Sequence, residues 1–411
     1  MEPKIRIRGF NGEWEKVIVG NLGTTYSGLS GKSKEDFGVG DAKFVTFLNV
    51  LCNAKIDTSV LEAVNVTEGE HQNEVKKGDL LFNTSSETPD EVGMCAVMDE
   101  ELDNVYLNSF CFGFRVTNQN INSTFIAYLM RSHVGRRIMS ILAQGATRYN
   151  LSKNNFCNAE LVLPQSKDEQ QQIADYFTNL DKRIAIQSQQ LEKLKQVKAA
   201  SLQSMFPQEG ETTPRVRFKG FEGEWEQKEM SKIGYMTAGG TPSTFNEEYW
   251  SGDINWLQSG AVQNNIIYSS SVERKITKAG LEHSAAYLIK EDSILIAITG
   301  ATCANIGYLT FESSANQSVV SVETNDDYSS KFIYQSLIKS RNQILSFKGG
   351  SAQSGVTLSN LKKLIILCPS HNEQVKIGEY FYSLEIQIER LTQRLEKLKQ
   401  IKSACLDNMF V

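Results

Sequence analysis

QLEKLKQVKAASLQSMF, residues 190–206, returns as RLEKLKQIKSACLDNMF at residues 394–410, identical at 11 of 17 positions. Leading into and through the first copy, apolar residues fall at Ile173, Phe177, Leu180, Ile184, Leu191, Leu194 and Met205. The second copy has Ile377, Phe381, Leu384, Ile388, Leu391, Leu395, Leu398 and Met409. The steps keep a three-four heptad rhythm, which lays one apolar seam along a helix. Val197, Leu202, Ile401 and Leu406 are read as widening that stripe. A single seam of this length cannot stay in water, whereas two bury each other. A helix over residues 173–205 spans roughly 50 Å, more than the radius of a domain of about 150 residues. The linker PQEGETTP, residues 207–214, reaches at most about 29 Å. It falls short of the return that parallel packing needs, part of which the second globular domain could supply, so parallel packing is disfavoured and the pair is expected to run antiparallel as a coiled coil.

The repetition extends outward from the helices. RGFNGEWE at 8–15 has its partner in KGFEGEWE at 219–226. Phe10, Trp14, Phe221 and Trp225 in these openings are read as packing anchors. Each copy later reaches a Leu-Ser step, Leu151-Ser152 and Leu358-Ser359, then an apolar strand, ELVLP or LIILCP. Ser166 to Glu169 and Ser370 to Glu373 follow with the spacing of a capping box, in which the hydroxyl and the carboxylate satisfy free N–H groups at a helix start. Between these marks KKGDLLFNTSS (76–86) lines up with IKEDSILIAITG (289–300), and LNSFCFGFRV (107–116) with ANQSVVSVET (315–324). These short runs rich in Val, Ile, Phe and Thr read as strands separated by polar loops. The expected fold is α+β: two globular domains of mixed α/β type joined by two long antiparallel helices, with a pseudo-two-fold internal repeat.

Several functions lack their residues. The seven cysteines contain no C-x-x-C pair and the four histidines are scattered, which fits reduced thiols in a cytoplasmic protein and no zinc site. The N-terminus has no apolar core of a secretory signal, and no apolar run approaches the roughly 20 residues that cross a bilayer. GLSGKS at 28–33 ends like a phosphate-binding loop, but position 26 is Tyr where that pattern needs Gly. It is read as a Gly/Ser turn, with TPSTFN (241–246) in the corresponding place. No nucleophile elbow, dinucleotide fingerprint or Asn/Asp-Pro-Pro-Tyr methyltransferase motif is present, so nothing points to catalysis by this chain. A net charge of −5 gives no global attraction to nucleic acid, which leaves local basic segments. MRSHVGRRIMSILAQGATRYN (130–150) carries Arg131, Arg136, Arg137 and Arg148, and IKSRNQILSFKGGSAQSGVT (338–357) carries Lys339, Arg341 and Lys348. Each is read as a helix followed by a Gly-rich polar loop, the mixture that phosphates and base edges require.

The R/K-G-F-x-G-E-W-E openings, GGTPS (239–243) followed by YWSGDINWLQSG, the Leu-Ser steps and the paired L-E-K-L-K-Q helices occur in order across essentially the whole chain. Together they resemble the specificity subunits of type I restriction-modification enzymes. The first half departs from the pattern: GTTYS (23–27) lacks the Pro, and no YW-x-G-x-I-x-W follows. The resemblance implies target-recognition domains at 1–163 and, with the linker, at 207–368, and spacer helices at 164–206 and 369–411. Each domain would read one half of a split, asymmetric site in double-stranded DNA. The coiled coil would set the gap and dock two methyltransferase subunits and the restriction subunits. It implies no catalysis and no membrane association. S-adenosylmethionine, ATP and Mg²⁺ would sit on the partners, with no cofactor on this chain. By position, the expected DNA contacts are Lys32, Lys34, Asn83, Thr84, Ser85, Arg136, Arg137, Arg148 and Tyr149 in the first half. In the second they are Thr241, Ser243, Gln258, Ser259, Thr299, Lys348, Ser351 and Gln353. The competing reading is a two-headed coiled-coil scaffold whose loops bind protein or sugar; a self-contained enzyme is disfavoured by the missing motifs.

Overall fold

The computed structural model describes residues 1–348 and 355–411. Two compact units divide the chain: Met1–Gln187 with Arg394–Val411, and Ser188–Gln393. The cut passes through both long helices, Lys167–Ser204 and His371–Asn408, each of 38 residues.

In the first unit a four-stranded antiparallel sheet has the order Gly23–Ser27, Cys111–Val116, Leu80–Asn83, Cys95–Val97. A three-stranded sheet centred on Phe37–Val45 pairs antiparallel with Glu62–Val64 and parallel with Val105–Leu107. The opening strand Glu15–Ile18 closes antiparallel on Glu160–Leu163 just before the first long helix. Phe82, Phe112, Phe114, Phe125, Phe156 and Phe177 fill the main core, which also takes in Trp14 and Phe410. Short runs buried on both faces, such as Leu80–Asn83, Cys95–Val97 and Val105–Leu107, make the buried strands, and aromatic rings supply the area a domain of this size must bury.

The second unit repeats the plan. Gly234–Ala238, Val319–Thr324, Ile294–Ala297 and Ile306–Leu309 form one sheet in that order, with Asn265–Ile267 added at its edge. Trp250–Leu257 pairs antiparallel with Lys275–Ile276 and parallel with Ser314–Ala315. Glu226–Glu229 closes on Ile365–Cys368. The two middle alignments read from the sequence therefore hold: 80–83 matches 294–297, and 111–116 matches 319–324.

The register also corrects the sequence alignment. Gly23 faces Val116 as Gly234 faces Thr324. GTTYS thus aligns with GYMTA (234–238), and GLSGKS takes the place of GGTPST. A Cβ on Gly28 would lie 2.1 Å from the carbonyl oxygen of Asn108, and one on Gly239 would lie 2.2 Å from that of Ala315. These glycines let two backbones touch; phosphate binding is not needed to explain them.

Within each unit the two long helices pair antiparallel. In the first, Tyr176 meets Cys405 (3.3 Å) and Asp181 meets Lys402 (2.5 Å). In the second, Ser201 meets Tyr380 (3.0 Å) and Lys198 meets Glu385 (2.6 Å). Of the seam residues, Ile173, Phe177, Leu180, Leu191, Ile377, Phe381, Leu384, Leu395 and Leu398 are buried; Ile184, Leu194, Ile388 and Leu391 are half-buried. Val197 and Ile401 do not widen the stripe: both are exposed, at 38% and 39%. The positions that follow the heptad carry Lys198 and Lys402 instead, each ion-paired to a carboxylate of the facing helix. The capping box is also modified. Ser166 Oγ accepts from the Glu169 amide (3.3 Å), but the Glu169 carboxylate receives Arg6 at 2.7 and 2.9 Å. Glu373 receives Arg217 at 2.6 and 2.7 Å in the same way.

Candidate nucleic-acid interface

The residues expected to touch DNA fall into three groups. The first is committed within the fold. Lys32, only 6% exposed, forms an ion pair with Glu70 (2.5 Å), and that contact first, then hydrogen bonds from Thr67, holds the Glu70 carboxyl down at about 2. Asn83 is fully buried. It donates to the carbonyls of Ser85 (3.2 Å) and Glu91 (2.9 Å) and accepts from the Met94 amide (2.6 Å). Arg136 donates to the carbonyls of Asp90 (3.2 Å), Gly93 (3.0 Å) and Val92. Burial first, and then nearby Arg131, pull its guanidinium down to about 10. Arg131 itself donates to the carbonyls of Cys95, Val50 and Asn53. These four side chains satisfy backbone groups or a carboxylate that would otherwise be stranded, so Lys32, Asn83 and Arg136, three of the expected DNA contacts, are engaged inside the fold, with Arg131 beside them.

A second group faces solvent. Lys34, Arg137, Arg148, Ser243, Gln258 and Thr299 are exposed; Thr84, Tyr149, Thr241, Ser259 and Lys348 are half-buried. In the first unit the fold gathers three of these residues, Thr84, Arg148 and Tyr149, near Ser85. Tyr149–Asn150 pairs with Ser85–Ser86, Arg148 Nε donates to Ser85 Oγ (3.2 Å), and Thr84 donates to the Phe110 carbonyl (2.7 Å). Ser85 is itself 5% exposed, so it orients Arg148 rather than offering a reading edge. In the second unit Thr241 donates to Gln317, and the Ser243 carbonyl accepts from Trp250 Nε1 (3.1 Å). The remaining two residues, Ser351 and Gln353, lie outside the described residues.

One feature of the second unit escaped the sequence reading. Arg274 stacks over Trp250, 4.2 Å from the ring centroid, and 5.3 Å from that of Trp256. A cleft of about 410 Å³ beside it is lined by Gln258, Gln263, Asn265 and Ser271 among others. The signal was a lone arginine, in SSVERKI, facing an aromatic-rich strand, and the pairing of those segments is not visible in one dimension. Among the described residues no group of His, Cys, Asp and Glu is arranged to hold a metal ion. No helix among them is long and apolar enough to cross a membrane.

Comparison with known proteins gives the same outline. The profile described as "Type I restriction modification DNA specificity domain" matches residues 11–196 and 222–400. The MjaIX type I restriction enzyme specificity subunit of Methanocaldococcus jannaschii is 29% identical over 195 residues, which is 46% of this chain and 44% of that one. The HindI specificity subunit of Haemophilus influenzae is 23% identical, covering 85% of this chain and 91% of that one. A crystal structure of the S subunit of a type I restriction-modification system from M. genitalium superposes with a TM-score of 0.68 at 16% identity, covering 100% and 99% of the two chains. That likeness establishes the fold.

Proposed function

The chain belongs to the type I restriction-modification DNA specificity family, and from that premise we propose that its two recognition domains read the two unlike halves of a split DNA site. Members of the family are non-catalytic DNA-recognition components. The observation that carries the reading is one frame built twice with different exposed side chains. Strand pairing, closing strands and helix caps repeat, whereas the loops at 28–36 and 239–249 share little beyond their first glycine. Identical frames place reading groups alike, and different groups select different bases.

The paired helices act as the spacer. They also present the docking face for two methyltransferase subunits and for restriction subunits, which carry S-adenosylmethionine, ATP and Mg²⁺. Methylation takes place on an adenine swung out of the duplex into the partner's pocket, since a base inside the stack is out of reach. The partner subunits supply part of the phosphate contact that a chain of net charge −5 lacks.

The test is an exchange. Residues 17–150 are replaced by the matching segment of a relative, the complex is assembled with its methyltransferase, and methylated adenines are mapped by sequencing. One half of the motif is expected to change and the other to persist. An unchanged motif sinks the reading. No binding to DNA, even with methyltransferase present, points to the two-headed scaffold instead.

A further inference from the structure

Arg274 occupies a corner made by two indoles. Trp250 and Trp256 stand edge to face at 88°, with ring centroids 5.1 Å apart. Neither ring is free to turn. Trp250 Nε1 donates to the Ser243 carbonyl (3.1 Å), and Trp256 Nε1 to the Gly240 carbonyl (3.0 Å). The backbone of Arg274 is held as well, its carbonyl accepting from the Trp256 amide (2.9 Å). The guanidinium is thus positioned by its flat face, which leaves its N–H edge unused. Arg274 is exposed, and among the described residues its side chain makes no hydrogen bond or ion pair. Flat polar side chains, Gln258 and Gln263, line the adjoining cleft.

The fold does not require an arginine there. In the first unit Phe44 faces Glu62 in the ladder that corresponds to Trp256 and Arg274. Phe37 and Phe44 form the matching aromatic pair, centroids again 5.1 Å apart. Glu62 is exposed and likewise unpaired among the described residues. One ladder position therefore carries a donor fork in one unit and an acceptor in the other. A residue needed for packing does not reverse its charge between two copies of one frame.

We propose that Arg274, stacked on Trp250 and Trp256, is a specificity-determining residue of the second recognition domain and reads the acceptor edge of a guanine. The guanine O6 and N7 atoms match two N–H groups of one guanidinium, a fit that lysine's single ammonium cannot reproduce. Stacking holds the fork in place before DNA arrives, so little side-chain freedom is lost on contact. The inference rests on the proposed function, since it presumes a domain that reads DNA.

The experiment maps methylated adenines with the chain assembled with its methyltransferase, comparing the parent with Arg274→Ala and Arg274→Lys. Co-purification with the methyltransferase and thermal melting report folding. The half-motif left intact by the exchange of residues 17–150 belongs to the second unit. That half is expected to contain a G·C pair whose preference falls by about 5- to 150-fold in both variants, the equivalent of ~1–3 kcal/mol for one bidentate pair; the other half stays unchanged. An unaltered motif overturns the inference, as does binding weakened uniformly across sequences, the mark of a phosphate contact. So does a second half without G·C. Should Arg274→Ala fail to assemble, Arg274→Lys decides alone. A parent complex that yields no two-part motif at all defeats the proposed function itself, an outcome distinct from a motif that ignores Arg274.

Discussion

At the scale of single residues, the strongest statements concern charges with partners. Glu169 and Glu373 are 2% and 0% exposed, and each is held by one arginine, Arg6 or Arg217. The same arginines donate to the carbonyls of Gly12 and Gly223 at 2.6 Å, so one guanidinium ties the G-E-W-E turn to the start of a long helix. Arg217→Ala is expected to destabilise its unit by about 3–5 kcal/mol, because a buried carboxylate loses its counter-charge; denaturant unfolding measures this. Arg136 and Arg137 are adjacent in sequence and opposite in role. Arg136→Ala is expected to lower stability. Arg137→Ala and Arg148→Ala are expected to leave melting unchanged and to weaken DNA binding across sequences, each lowering the salt slope by about 1. The Lys32–Glu70 pair has a pH signature. The Glu70 carboxyl falls from 4.5 to about 2 in the fold, so its contribution is complete above about 4.5 and is lost as pH drops toward 2. Glu70→Gln is expected to flatten the stability curve in that window. Sequence spacing placed Arg136, Arg137 and Arg148 together in one basic segment. It could not separate those turned inward, because two neighbours on a helix differ by about 100° in facing.

At the scale of elements, the end of each long helix completes a core. Phe410 stacks on Phe177 (5.7 Å) and tilts against Phe125 (5.4 Å) in the first unit. Phe206 packs on Phe381 (5.8 Å), Phe332 (5.6 Å) and Trp225 (5.8 Å) in the second. Phe206→Ala and Phe410→Ala are each expected to cost about 3–5 kcal/mol of stability, as losses of buried aromatic rings do. The quoted repeat ends on Met-Phe in both copies for this reason. Another element went unread. FGVGDAKFV (37–45) stands where WSGDINWL (250–257) stands in the second unit, sharing Gly-Asp and an aromatic three residues on. An extra residue at its bulge hides the match from a residue-by-residue comparison. Strand pairing restores it, because a bulge alters the count on one strand and leaves the ladder beyond it intact.

For the whole molecule, the prediction concerns length. A heptad inserted into both long helices preserves the seam, since seven residues return each side chain to the same face. The proposed spacer role requires that this change the number of unread bases between the two half-motifs, and methylation mapping reads that number directly. An unaltered gap removes the helices from the role of ruler. High salt is expected to weaken DNA binding by the assembled complex more steeply than by the chain alone, in proportion to the phosphate contacts the partners add.

The sequence by itself determined the duplication, the two long helices, their seam and the order of the main strands. Each depends on local periodicity or on self-similarity, and both survive in one dimension. Tertiary structure alone decided which polar groups were left over. Asn83 and Arg136 look like ligand-binding residues until the carbonyls they satisfy come into place. Arg274 looks unremarkable until two tryptophans close around it. Burial and hydrogen-bond satisfaction are properties of surroundings assembled from distant segments, and no window along the chain contains them.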